Sequence, residues 1–171
     1  QAATADEMGT DTRRFGGTHG WVGWRAGEGA TMRVKEGALV ADITDLSALI
    51  SSPALALPAV EAAFVSLDVE SSPGAVLGLN FVSDEGVGSV TFTPAGSGRT
   101  SLVNASEHPA WKGTIRRLAL SRMDGGGSSL ICRSLAVSNV LEGPPYLIVR
   151  SLAPERAKLR LGQPERFTAV I

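Results

Sequence analysis

Trp21 and Trp24 stand close together in "FGGTHGWVGWRAGEG", residues 15–29, and Arg25 follows directly. A ring beside a guanidinium suits the holding of a polyhydroxylated ligand. An indole face covers apolar C–H groups, and planar polar groups meet hydroxyls. Two rings three residues apart in a glycine-rich loop can face opposite ways, and Trp24 with Arg25 is the first candidate contact. The competing reading is that both rings pin the loop to a core. The third tryptophan, Trp111 in "HPAWKGTIRRLALS", precedes a tight turn and a strand. It reads as a ring closing one end of a core, its indole N–H on a backbone carbonyl, with a sugar platform as the alternative.

A second location comes from strand faces. Asn80, Thr91, Thr93, Arg117 and Ser121 all point away from the apolar sides of their strands. If those strands adjoin, the residues form a shallow polar face, and Asn80 and Arg117 are its candidate ligand contacts. An ordinary solvated sheet face has the same pattern.

Catalytic patterns are missing. "AGSGR" and "GGGSS" do not match a nucleophile elbow. The chain has 17 acidic residues, but nothing singles out a catalytic pair among them. Cys132, the single cysteine, sits in an apolar strand and reads as a small core residue. His19 and His108 lie far apart, without metal-ligand spacing. Asp42, Asp45, Asp84 and Glu85 are scattered loop acids with no recognisable calcium loop. "NAS" at Asn104 fits a glycosylation sequon, a short pattern common by chance. The expectation is a protein that is not an enzyme.

The elements that must position these residues are strands. "TMRVK" and "ALVADI" flank Glu36-Gly37 and read as a hairpin. In "FVSLDVES", Val65, Leu67 and Val69 share one face. Leu77, Leu79 and Phe81 do so in "AVLGLNFVS", Val90 and Phe92 in "SVTFT", and Leu118 and Leu120 in "RRLALSR". "RTSLVN" and "LICRSLAVS" add two more strands. "DLSALISSPALALPAVEAA" is ambiguous: Asp45 can cap one turn, Pro53 and Pro58 forbid a long helix, and an edge strand follows. Strands at this spacing, separated by turn chemistry, predict an all-β antiparallel β-sandwich or jelly roll.

Bulk composition agrees. The 171 residues are 43% apolar and 19% charged, enough for a core, and 20 glycines with nine prolines suit many short strands. A net charge of −1 gives no field for nucleic acid. The apolar run from Leu46 to Val69 is broken by two prolines, Glu61 and Asp68, so it is no membrane span. Residues 1–14 read as a flexible N-terminus, 15–139 as the sandwich, "LEGPP" within 140–145 as a linker, and 146–171 as further strands. A chain ending on "FTAVI" stops in mid-strand by composition, which predicts that the natural protein continues.

Several stretches carry a resemblance: "EGATMRVKEGALVADITD", "SSPALALPA" and "WKGTIRRLALSRMDGGGSS". They resemble galactose-binding-domain-like jelly rolls, themselves similar to carbohydrate-binding modules, of secreted multidomain bacterial proteins. Matching positions are Gly20 and Trp21; Val34, Gly37 and Leu39; and Trp111, Gly113, Ile115, Leu118 and Leu120. The chain departs at Ser121-Arg122, where the family often has Asp-Pro. It departs at "RTSL", where an aromatic-rich strand is usual, and at Arg133, where an Asp is common. The tail resembles the opening strands of an immunoglobulin-like domain. The resemblance implies an extracellular or cell-envelope accessory module whose partners are a glycan or polysaccharide and neighbouring domains. It implies no cofactor beyond a structural calcium. The alternative is a structural spacer, or a β-domain that self-assembles into a multimer or filament through its C-terminal strands, without a soluble ligand.

Overall fold

The structure, a computed structural model, describes residues 13–124, 128–139, 151–154 and 167–170. The chain divides into two compact units, residues 1–140 and 141–171. In chain order the first unit holds β1 (Arg13–Gly16), a helical turn α1 (Gly17–Gly20), β2 (Arg25–Ala26), β3 (Ala30–Lys35), β4 (Ala38–Ile43), β5 (Ile50–Ser51), β6 (Leu57–Pro58) and β7 (Phe64–Glu70). Then come β8 (Leu77–Ser83), β9 (Gly86–Phe92), β10 (Thr100–Asn104), β11 (Thr114–Arg122) and β12 (Ser128–Ser138).

The strands form two antiparallel sheets, the expected all-β sandwich of jelly-roll type. One sheet runs β10-β7-β12-β4-β3, with β1 beside the second half of β12 and β4 beside the first. The other runs β2-β5-β11-β8-β9, with β6 beside the start of β11. Alternation decides which side chains are buried between them. Val65, Leu67, Val69, Leu77, Leu79, Leu118 and Leu120 are all fully buried. Each such Val or Leu contributes about 1.5–3 kcal/mol by leaving water.

Strict alternation fails twice, and each failure is a β-bulge. In β11 the register steps from Ile115 opposite Ser83 to Arg117 opposite Val82. The extra residue lets Ile115 and Leu118 both face the core and sends Arg116 and Arg117 outward together. In β12 the step falls between Cys132 and Ser134. Cys132 and Leu135 stay inside, while Arg133 reaches Glu70 at 2.9 Å and Asp68 at 3.6 Å.

The hairpin between β3 and β4 closes over two residues, Glu36 (φ 51°) and Gly37 (φ 78°). Both in the left-handed region give the turn whose twist matches the strands. Another glycine is needed for space: a Cβ at Gly88 would lie 2.3 Å from the Phe81 ring.

The ambiguous stretch becomes a turn and two short strands along β11. Asp45 caps the turn through the backbone N–H and hydroxyl of Ser47. Pro53 and Pro58 lack donors, so the ladder on this edge is irregular. Ser52 mends it: Leu118 N–H donates to Ser52 Oγ at 3.0 Å, while Ser52 N–H donates to the Leu118 carbonyl at 2.8 Å. Ser52→Ala leaves the buried Leu118 N–H without its acceptor. The expected loss is about 1–3 kcal/mol, read from urea unfolding; an unchanged midpoint would remove this role.

The second unit, taken by itself, contributes one antiparallel pair, β13 (Ser151–Pro154) and β14 (Phe167–Val170). The expected linker at 140–145 lies outside the described residues. So do residues 1–12 of the expected flexible N-terminus, whereas Arg13 and Arg14 begin β1.

Candidate functional site

The candidate residues are best placed by following one row of strand partners across the second sheet. Arg25 of β2 lies opposite Ser51 of β5, Ser51 opposite Ala119 of β11, Ala119 opposite Asn80 of β8, and Asn80 opposite Ser89 of β9. All five side chains belong to the outer face, because their neighbours Ile50, Leu79, Leu118 and Leu120 fill the core. The next row holds Arg117, Val82 and Val87. Three sequence candidates, Arg25, Asn80 and Arg117, thus share one face.

Two adjoining grooves lie on this face, each of about 500 Å³. One runs past Arg25, Gly27, Ser51, Pro53 and Arg117. The other lies among Leu49, Asn80, Val82, Val87, Ser89 and Arg117. Ser51 and Arg117 line both, so the two form one strip. Crossing five strands takes four spacings of about 4.8 Å, roughly 19 Å in all. Such a strip suits an extended chain more than a compact molecule. A third cavity, about 330 Å³ among Arg13, Leu57, Pro58, Glu61 and Val137, holds none of the candidate contacts.

The electrostatics of the strip follow from what its neighbours already hold. Arg116, beside Arg117 in the bulge, donates from Nε to Asp84 Oδ1 at 2.9 Å. That bond, with the Thr114 N–H on Oδ2, holds the Asp84 carboxyl below its ordinary value. Among the described residues neither Arg25 nor Arg117 has such a partner. Asn80 Nδ2 donates to Ser121 Oγ at 2.8 Å, which orients the amide and leaves its oxygen for a ligand donor.

Trp24 requires a correction. It was expected to point outward beside Arg25, yet it is 5% exposed. Trp24 N–H donates to the Trp21 carbonyl at 3.2 Å, so the chain turns back within three residues. Both rings therefore face the core, and Val22 takes the outward place. Phe15 and Trp21 meet Trp24 edge-on at 5.4 and 5.3 Å. Trp21 is anchored by Nε1–H on the Gly37 carbonyl at 2.9 Å. Trp111 is an internal ring as well: 4% exposed, its Nε1–H donates to the Ala62 carbonyl at 2.9 Å.

Ser121, expected on the open face, does point outward, but Met123 covers it. Thr91 shares the outer face opposite Gly78, and Thr93 lies just past the end of β9. Sequence reasoning missed Ser51, Ser89, Leu49, Val82 and Val87. Val82 and Val87 were detectable: they are apolar at positions where alternation points outward.

Among the described residues the other candidate chemistries find no site. Burial, more than the nearby Asp68 charge, pushes the Cys132 thiol up to about 12, so it is no nucleophile at neutral pH. Asp42 pairs with Arg33, Asp45 holds Ser47, and Asp84 holds Arg116. Among the described residues no group of three or more such side chains could take a metal ion. Arg122 of the departing Ser-Arg pair is 3% exposed and grips Asp124 with two bonds of 2.8 and 2.7 Å. Among the described residues no helix is long and apolar enough to cross a membrane.

Taken together, the fold is a carbohydrate-binding-module-like jelly roll. Among solved structures, similar ones are carbohydrate-binding modules of family 29. A variant complexed with cellulohexaose has a TM-score of 0.54 at 14% identity, over 68% of this chain and 81% of that one. A variant complexed with mannohexaose gives 0.58 at 13%, over 75% and 92%. Another variant gives 0.60 at 12%, over 78% and 98%. No protein-family model matches the sequence, and no curated protein matches it.

Proposed function

We propose that this chain is a non-catalytic carbohydrate-binding module that holds a glycan along the outer face of its second sheet. The carrying observation is the continuous strip in which Arg25, Asn80 and Arg117 converge over Leu49, Val82, Val87 and Ala119. Planar donors meet hydroxyls while aliphatic side chains cover C–H faces. The fold shared with family 29 modules supports the same reading. So open and shallow a surface gives weak affinity, about micromolar or above.

In this reading the module belongs to a secreted bacterial protein of several domains, acting outside the cell or in its envelope. It tethers a glycan-active neighbour to polymer and raises that neighbour's effective concentration. Residues 146–171 then open an immunoglobulin-like domain. These finer points rest on the sequence resemblance.

A second reading has its own support. Among the described residues β13 and β14 form a two-stranded sheet, which alone is marginal in water. Strands of another chain would complete it and give a spacer that self-associates. Light scattering that finds a strict monomer over a wide concentration range removes this alternative.

Native gels containing soluble polysaccharides test the first reading. At least one polymer is expected to retard the protein, and Asn80→Ala to weaken that retardation with the fold intact. No retardation by any polymer overturns the reading. Release of sugars from the polymers overturns its non-catalytic part.

A further inference from the structure

The strip holds two arginines with no carboxylate to answer them. Resting on the glycan reading above, we infer that its ligand is an acidic polysaccharide whose uronate carboxylates are bound by Arg25 and Arg117.

Charge is the first argument. Among the described residues the charged ones lining the two grooves are Arg25 and Arg117, and no Asp or Glu lines either groove. Four other described arginines hold carboxylates: Arg33 with Asp42, Arg116 with Asp84, Arg122 with Asp124, and Arg133 with Asp68 and Glu70. The contrast is sharpest at the bulge, where adjacent arginines leave the strand together. Arg116 takes the nearby Asp84, and Arg117 is left to face the grooves. A guanidinium offers a flat fork of donors that matches a carboxylate with two parallel bonds. The chain as a whole has a net charge of −1, so attraction to a polyanion must arise locally.

The second argument is the surface beneath the ligand. Trp21, Trp24, Trp111 and Phe81 are all buried; Phe81 borders one groove but is only 3% exposed, and among the described residues no tryptophan or tyrosine lines either groove. A neutral polymer offers hydroxyls and C–H faces, and it gains most from stacking on open rings. Here the exposed apolar side chains are the aliphatic Leu49, Val82 and Val87, so that stacking is lost. Charge-assisted bonds are about twice as strong as neutral ones and supply the missing attraction. Arg25 and Arg117 line the same groove, and the strip continues to Asn80 and Ser89. That order places one cation at the end of an extended ligand, a second at its middle, and neutral hydrogen-bonding groups towards the other end.

The test uses the full chain in native gels containing alginate or polygalacturonate, the same polymers with their carboxyls reduced to alcohols, or hydroxyethylcellulose. Arg25→Gln and Arg117→Gln are run beside Arg33→Gln, a change on the other sheet. Each variant's fold is checked by circular dichroism. The expected result is retardation by a polyuronate, about tenfold weaker in Arg25→Gln and in Arg117→Gln. Arg33→Gln should match the parent, and the reduced polymer should not retard. Equal retardation by the reduced polymer overturns the carboxylate assignment. Equal weakening in Arg33→Gln overturns it too, by showing that overall charge governs migration. Retardation by hydroxyethylcellulose alone, indifferent to both arginines, overturns the acidic ligand while the glycan reading survives. Retardation by none of the polymers overturns both.

Discussion

Trp111→Ala is expected to lower unfolding stability by about 3–5 kcal/mol, the range for deleting a buried tryptophan. Three losses combine at this site. The cavity left by the ring cannot fully collapse, because Phe81 packs edge-on against it at 4.7 Å from a strand held on both sides. The Ala62 carbonyl loses the indole N–H that reaches it. The turn at Lys112-Gly113, which aims β11, loses the ring that anchors it. Stabilities of whole domains run to about 5–15 kcal/mol, so this one change removes a large share. Trp111→Phe separates the terms, keeping part of the packing and giving up the hydrogen bond. Urea unfolding followed by circular dichroism provides the measurement. A lowered midpoint with unchanged slope is the expected form. A loss below about 1 kcal/mol would mean that the ring is not structural, contrary to its burial.

Trp24→Ala is expected to cost a similar amount, about 3–5 kcal/mol, and to do so without entering the ligand strip. Its ring shares an aromatic cluster with Phe15 and Trp21 beneath the sheet whose outer face carries Arg25. Loss of glycan binding in the alanine variant would therefore be ambiguous, since it would follow from loosening the loop that carries Arg25. Trp24→Phe resolves this by keeping an aromatic ring in the cluster. The folded Phe variant should be retarded by polysaccharide as the parent is. Folding with abolished retardation would place the Trp24 ring in the site and contradict its position in the core.

The fate of Trp24 shows where a sequence reading runs out. Strands were legible where period two was unbroken: Val65, Leu67 and Val69 inward, Asn80 and Arg117 outward. The hairpin at Glu36-Gly37 was legible because only a few residue pairs turn that tightly. A glycine-rich loop has no period, so nothing in residues 15–29 decides which ring faces inward. An outward Trp24 and a pair of rings both in the core were open there, and the turn from Trp21 to Trp24 chose the second. The bulges were hidden for a related reason. "GTIRRLALS" does not say which residue is extra, and the answer depends on Ser83 and Val82 across the ladder. The convergence of Arg25 with Arg117 was beyond reach, because it rests on a two-residue pairing of β2 with β5, too short to be read from composition.

The alternation along β8 and β11 has an evolutionary consequence. Asn80 and Arg117 can change without disturbing Leu79 or Leu118, because successive side chains leave opposite faces of the sheet. On the proposed function, recognition and folding are thus written in interleaved but independent positions. A lineage carrying this scaffold can drift from one ligand to another through Arg25, Ser51, Asn80, Ser89 and Arg117 while its inner residues stay under constant selection. Shape then persists while outward-facing sequence diverges, and kinship among such proteins becomes easier to see in backbone geometry than in letters.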